Sequence, residues 1–179
     1  MKNKRKGLIL LAVVLVLALG IGYAAATDTI NIAGSTAAIA DDFSVVFVTN
    51  HTIVTAKTDA NITVSGTYGS TKGATMTVSA LQSKNDYGSA IFEAKNTSAD
   101  LTATNIQATV TGDATSDAHF TIAVTYSTTE DGTYSATPPT SVAANQVFYV
   151  KVTVTLAKPT ANAISATTFN VAVTATAGE

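Results

Sequence analysis

Two hydrophobic patterns divide the chain. From Leu8 to Leu19 apolar residues follow one another without a polar break, whereas further along they recur at every second position. An unbroken run of about 12 residues suits a short apolar helix, and alternation is the period of a strand with one face buried. The last third is the clearest case. Phe120, Ile122, Val124 and Tyr126 alternate with Thr121, Ala123 and Thr125. Phe148, Val150, Val152, Val154 and Leu156 alternate with Tyr149, Lys151, Thr153 and Thr155, and Phe169, Val171, Val173 and Ala175 with Asn170, Ala172, Thr174 and Thr176. Each stretch carries one apolar and one Thr-rich face, so each places one side in a core and one in water.

Earlier strands are predicted at Thr29 to Ala33, Phe43 to Val48, Ile53 to Ala56, Asn61 to Thr67, Ala74 to Leu81, Ser89 to Lys95 and Leu101 to Thr111. Turn-forming clusters separate them at Thr67 to Gly73, Lys84 to Gly88, Gly112-Asp113, Glu130-Asp131-Gly132, Pro138-Pro139 and Lys158-Pro159. About nine or ten short strands joined by frequent turns predict an all-β fold: an antiparallel β-sandwich, immunoglobulin-like or jelly-roll-like. Residues 158–167 admit a single helical turn. No internal repeat marks a second domain.

The unbroken run belongs to a different kind of segment. Lys2, Lys4, Arg5 and Lys6 precede it, and Gly20-Ile-Gly-Tyr-Ala-Ala-Ala-Thr27 follows, which is the layout of a secretory signal peptide. Gly22-Tyr23-Ala24 and Ala24-Ala25-Ala26 both satisfy a peptidase that requires small residues, so cleavage falls at 24/25 or at 26/27. Two other fates of the leader stay open: an uncleaved anchor, and a prepilin-type cut after Gly7 that keeps the apolar helix. The expected organisation is a signal peptide at 1–24, a short N-terminal strand at 25–34 and a sandwich domain at 35–179.

Removing the leader changes the electrostatics. Four of the ten basic residues lie in it and all twelve acidic residues lie from Asp28 onward, leaving six basic against twelve acidic and a balance of −6. A nucleic-acid partner is not expected of such a chain, and the membrane is met only through the leader before cleavage. Cysteine is absent, so neither disulfides nor a lipid-bearing cysteine is available and the fold stands on its core. The chain ends Ala-Thr-Ala-Gly-Glu, with no apolar C-terminal tail for attachment.

Two stretches carry a resemblance. The basic cluster, the Leu/Val run and Gly20-Ile-Gly-Tyr-Ala-Ala-Ala-Thr-Asp28 resemble the leader junction of the secreted TasA/camelysin-like surface proteins, which a dedicated signal peptidase processes. Ser89 to Val110, with Asn96-Thr-Ser-Ala-Asp100 at its centre, is similar to the unit in which many immunoglobulin-like surface domains pair two strands through an Asn-rich turn. The resemblance implies a secreted structural subunit of an extracellular fibre or biofilm matrix, with other copies of itself as partner. Within the cleavage region Tyr23, Ala24, Ala25 and Ala26 it implies a cut after Ala24, with Ala25 first, and it implies head-to-tail assembly by donor-strand addition. The candidate donor is Ala25 to Gly34, whose Thr29, Ile30, Asn31, Ile32 and Ala33 form a short alternating stretch. The same stretch also reads as the first strand of its own sandwich. Strand addition from copy to copy does not close, so it makes fibres.

Candidate chemistry adds little. His51 and His119 stand apart, and no His-Glu-x-x-His or Gly-x-Ser-x-Gly motif occurs, so no catalytic, metal or cofactor residue is expected. Asp41-Asp42, Asp59, Asp113 with Asp117, and Glu130-Asp131 fall in predicted turns, where oxygen ligands for a cation gather; Asp113 to Asp117 is the foremost of them. Tyr68, Tyr87 and Tyr134 are candidates for stacking on a glycan. Asn50, Asn61 and Asn96 each head an Asn-x-Thr/Ser triplet. Beside the fibre subunit, two alternatives follow: a monomeric adhesive or ligand-binding sandwich, and a pilin-like protein that retains its apolar helix.

Overall fold

In the computed structural model, which describes residues 43–57, 61–68, 73–112, 115 and 117–178, the alternating stretches form nine strands. They are β1 (Val45–Ala56), β2 (Thr63–Tyr68), β3 (Gly73–Ser79), β4 (Tyr87–Asn96), β5 (Thr102–Thr111), β6 (Phe120–Ser127), β7 (Ser141–Val142), β8 (Val147–Leu156) and β9 (Thr167–Gly178). All pairings are antiparallel and fall into two sheets, β1-β4-β8-β6 and β2-β3-β9-β5-β7. All nine strands lie in one compact unit, Asp42–Glu179. The described part is thus all-β and sandwich-like. The leader, its cleavage region and the candidate donor Thr29 to Ala33 lie outside the described residues.

The core is the layer between the two inner faces. From the first sheet come Phe47, Ala90, Phe92, Phe148, Val150, Val152, Val154 and Leu156; from the second come Met76, Val78, Ile106, Phe169, Val171 and Val173, all buried. Phe47 and Phe92 meet at 5.7 Å on neighbouring strands, and Phe120 meets Phe169 edge-on at 6.1 Å across the sheets. Each such aromatic or aliphatic side chain contributes roughly 1.5–3 kcal/mol on burial. At Gly88 the sheets come too close for a side chain: a Cβ there would stand 2.5 Å from Val64 Cγ2.

Two bulges let the strands keep their apolar residues inward. Between Phe47 and Thr52, four residues of β1 stand against one of β4, which joins the two expected strands 43–48 and 53–56 into one. In β5, Asn105 and Ile106 stand against one residue of β9. Asn105 adopts φ 50° and its Nδ2 donates to Thr176 Oγ1 at 2.9 Å, so the inward phase passes from Ala103 to Ile106.

The structure departs from the sequence pattern in three places. First, β4 and β5 do not pair: they lie in opposite sheets, and the Asn-rich turn between them crosses the sandwich. Asn96 is fully buried there and donates to the carbonyls of Leu101, Val142 and Ala143 at 2.8, 3.1 and 3.2 Å. Its Oδ1 accepts from Ser98 N, and Ser98 Oγ accepts from Leu101 N, so the turn is closed by side chains instead of by a hairpin ladder. Second, residues 158–167 form no helical turn. Their polar backbone bonds to the chain after β3: Ile164 N donates to Leu81 O, Ala80 N to Ile164 O, and Thr160 N to Gln82 O. Pairing there holds Ile164 against the core, where a helical turn would spend the same groups on itself. Third, the two-residue β7 has too little alternation to be foreseen.

Asp86 fastens the turn before β4. Its Oδ2 accepts from Gln82 N at 3.0 Å and Ser83 N at 2.7 Å, and its Oδ1 from Lys57 Nζ at 2.9 Å. Burial pushes its carboxyl up, but those hydrogen bonds outweigh it and the net shift is downward. The stabilisation is therefore complete above the unfolded value near 3.9 and lost as pH falls through the lower folded one. Lys57 is 44% exposed, so solvent screens its share and the two backbone donors carry most of the effect. Asp86→Ala is expected to cost about 2–3 kcal/mol at pH 7 by leaving those donors unpaired. Urea denaturation at pH 7 and pH 3 checks this, with the difference from wild type shrinking at the lower pH.

Candidate functional site

The two sheets do not close evenly along the side where β5 and β6 lie. β6 is the last strand of its sheet, and β5 is bordered by β7 only at Ala103 and Thr104. The segment after β6 covers the upper part of this flank: Tyr126 and Ser135 exchange backbone hydrogen bonds of 2.7 and 2.9 Å. Tyr126 Oη spans the gap between sheets, accepting from Ala108 N at 2.9 Å. Below that tie, no described strand pairs with the outer side of Phe120 to Thr125 of β6, whose inner neighbour is β8, or of Gln107 to Thr111 of β5, whose inner neighbour is β9. The inward residues of the two edges, Phe120, Ile122 and Val124 on one side and Ala108 and Val110 on the other, are half-buried, as are Phe43, Ala56, Val64, Ile164 and Ala175 elsewhere around the layer. Alternating apolar positions beside an unbordered backbone edge fit the needs of an added strand.

At the lower mouth of that flank lies a cavity of about 640 Å³, lined by Asp117, His119, Phe120, Thr160, Ile164 and Thr167 among others. His119 Nδ1 lies 2.7 Å from Asp117 Oδ1, which also accepts from His119 N at 2.9 Å. These two bonds, the backbone one foremost, hold the Asp117 carboxyl below the usual carboxylate range. In the sequence Asp117 stands two residues before His119. The signal was the Asp-x-His spacing ahead of a strand: an Asp turn bonds the backbone two residues on and brings the ring along with it.

The other candidates scatter. Asp41, Asp42, Asp59 and Asp113 lie outside the described residues, so Asp117 is the only member of its expected cluster that is placed. Among the described residues no group of three or more His, Cys, Asp or Glu side chains is placed to hold a metal ion. Tyr134 is built into its loop: its Oη donates to Glu130 O at 2.9 Å, and Lys151 Nζ lies 5.6 Å from the centre of its ring. Burial, with the Glu130 charge behind it, pushes its hydroxyl up to about 12. Tyr87 opens β4 and is 38% exposed. His51 and Asn50 fall within β1, and Tyr68 ends β2.

Of the glycosylation triplets, Asn61 is exposed in a turn, whereas Asn96 carries the three carbonyl bonds described above and leaves no room for a glycan. Asn96→Ala is expected to cost about 2–3 kcal/mol by orphaning buried carbonyls, and Asn61→Ala less than about 0.5 kcal/mol. Thermal or urea unfolding of the two variants checks the contrast. No family model, no curated protein and no solved structure matches this chain.

Proposed function

We propose that the protein is a secreted, non-catalytic structural subunit of an extracellular fibre or biofilm matrix, assembling head to tail by strand addition with the export machinery and a signal peptidase as its processing partners. The observation that carries this reading is the open flank. Ile122 and Val124 of β6 and Ala108 and Val110 of β5 are half-buried inward residues along two edges whose outer sides no described strand borders. Thr29 to Ala33 of another copy has the matching character, with Ile30 and Ile32 on one face of a five-residue alternating stretch. Such a strand would complete a sheet edge and fill the layer at once. Cleavage within Tyr23 to Ala26 frees that segment from the leader. The finer assignment to an immunoglobulin-like or jelly-roll-like class is supported by chain crossings between sheets from β4 to β5 and from β8 to β9. The relation to TasA/camelysin-like proteins rests on the leader junction, Gly20 to Asp28.

A second reading, a monomeric adhesive or ligand-binding domain, draws on the cavity beside His119. Electron microscopy of the secreted protein separates the two. Under the fibre reading, filaments form, deletion of residues 25–34 abolishes them, a synthetic 25–34 peptide caps growth of the wild type, and Ile122→Arg prevents elongation. Filaments indifferent to both the deletion and the peptide would rule out strand addition, and a protein that stays monomeric at all concentrations would favour the second reading.

A further inference from the structure

The outer face of the β2-β3-β9-β5-β7 sheet carries no charge. Not one Asp, Glu, Lys, Arg or His occurs within those five strands, although the chain from Asp28 onward holds eighteen charged residues, six basic and twelve acidic. Its outward positions are neutral, and all but a few, such as Gly73 and Ala172, bear a hydroxyl or an amide. Ser65 and Thr77 lie side by side with Thr168 in one row across the strands, and Thr67, Thr75, Asn170 and Thr111 in the next. Several of these hydroxyls are already oriented by their neighbours: Thr63 bonds Ser79, Thr77 bonds Thr168 at 2.9 Å, and Thr104 bonds Thr176 at 3.2 Å. The other sheet differs. Its strands carry Glu93, Lys95 and Lys151 at positions flanked by inward residues, which places them on its outer face.

A sheet face that must stay in water ordinarily mixes charges of both signs to keep other sheets away. Here that safeguard is missing from one face only. For two copies that each carry a balance near −6, contact through this face keeps like charges furthest apart. Hydroxyls both donate and accept, so the face is complementary to itself, and threonine methyl groups supply apolar area between them. Strands about 4.8 Å apart and six to twelve residues long in the four major ones make a surface on the order of 500 Å². That approaches the ~800 Å² per partner of a standard interface. Two sheets with the usual twist can stack with their strands about 30° apart.

We propose that this charge-free face packs against the same face of a second copy. The contact does not depend on strand addition: it would pair isolated domains, and it would join filaments side by side. Two substitutions at exposed positions of the central strand β9 test it in the secreted protein, Asn170→Glu with Thr174→Glu, alongside Asn170→Lys with Thr174→Lys. Thr55→Glu with Thr155→Glu, on the outer face of the β1-β4-β8-β6 sheet and away from the flank, serves as control. Sedimentation equilibrium is expected to give association at least tenfold weaker for the Glu pair and for the Lys pair, with unchanged melting temperatures. Mixing Glu and Lys variants is expected to restore association to within about threefold of wild type, and the control pair to leave it unchanged.

Wild-type association should strengthen as salt rises from 0.01 to 0.1 M, because the screening length falls from about 30 to about 10 Å while the contact itself holds no ion pair. Filaments that never associate laterally, with the Glu pair indistinguishable from wild type, overturn the face contact and leave the fibre reading standing. Absence of filaments together with face-dependent dimers overturns the fibre reading and leaves the contact. Equal weakening by the control pair, or no rescue on mixing, overturns the contact.

Discussion

Phe92, Phe148, Phe169 and Met76 meet in one layer between two sheets that no disulfide can join, so burial of that layer has to offset the ordering of the whole sandwich. Ordering costs roughly 1–2 kcal/mol per residue, and each large side chain returns roughly 1.5–3 kcal/mol. The margin is narrow, which is why inward phase is defended even at the expense of regular pairing. The bulges in β1 and β5 each give up part of a ladder so that Phe47 with Val54, and Ala103 with Ile106, face the same way.

Where the chain leaves one sheet for the other, the layer cannot help and polar side chains take over. Asn96 closes the crossing from β4 to β5, and Asp86 closes the turn that starts β4, so both ends of that central strand are fixed by buried groups with satisfied partners. Tyr126 does the same for the flank, reaching from β6 to the backbone of β5. Below it, the layer simply runs out of residues: Ile122 and Val124 point inward with nothing described beyond their edge. Half-buried inward residues here stand beside free strand edges, and that combination gives the flank its meaning in the proposed fibre.

Strand existence was legible because alternation registers burial directly. β8 matches its alternating stretch to within one residue, since Phe148 to Leu156 alternates without interruption and every inward member is fully buried. Neighbours were not legible, because alternation identifies a face and says nothing about which strand lies alongside. The stretch from Ser89 to Val110 has the look of a hairpin for that reason: Asn96 to Asp100 has turn chemistry, and only the bonds of Asn96 to Val142 and Ala143, residues more than forty positions away, make it a crossing. Residues 158–167 misled in a similar way, since their fate is set by a free backbone at Ala80 to Gln82. The flank was invisible as well, being a property of β6, which ends its sheet, and of the part of β5 that β7 does not reach. The uncharged sheet was readable in part as Thr-rich alternation, but only strand order gathers its members onto one surface.

The two proposed contacts use different directions of the same sandwich. Strand addition extends a sheet along its hydrogen-bonding direction through the flank, whereas the neutral face stacks perpendicular to the sheet. One does not consume the other. Only one of the two outer faces is free of charge, so stacking of two isolated copies closes on itself as a symmetric pair. A filament changes that outcome: if successive subunits rotate about its axis, their neutral faces point in several directions and one filament can meet several others. The extent of lateral association would then be set by the rotation between neighbours, a consequence of how deeply the donor strand sits in the flank, and no longer by the face chemistry alone.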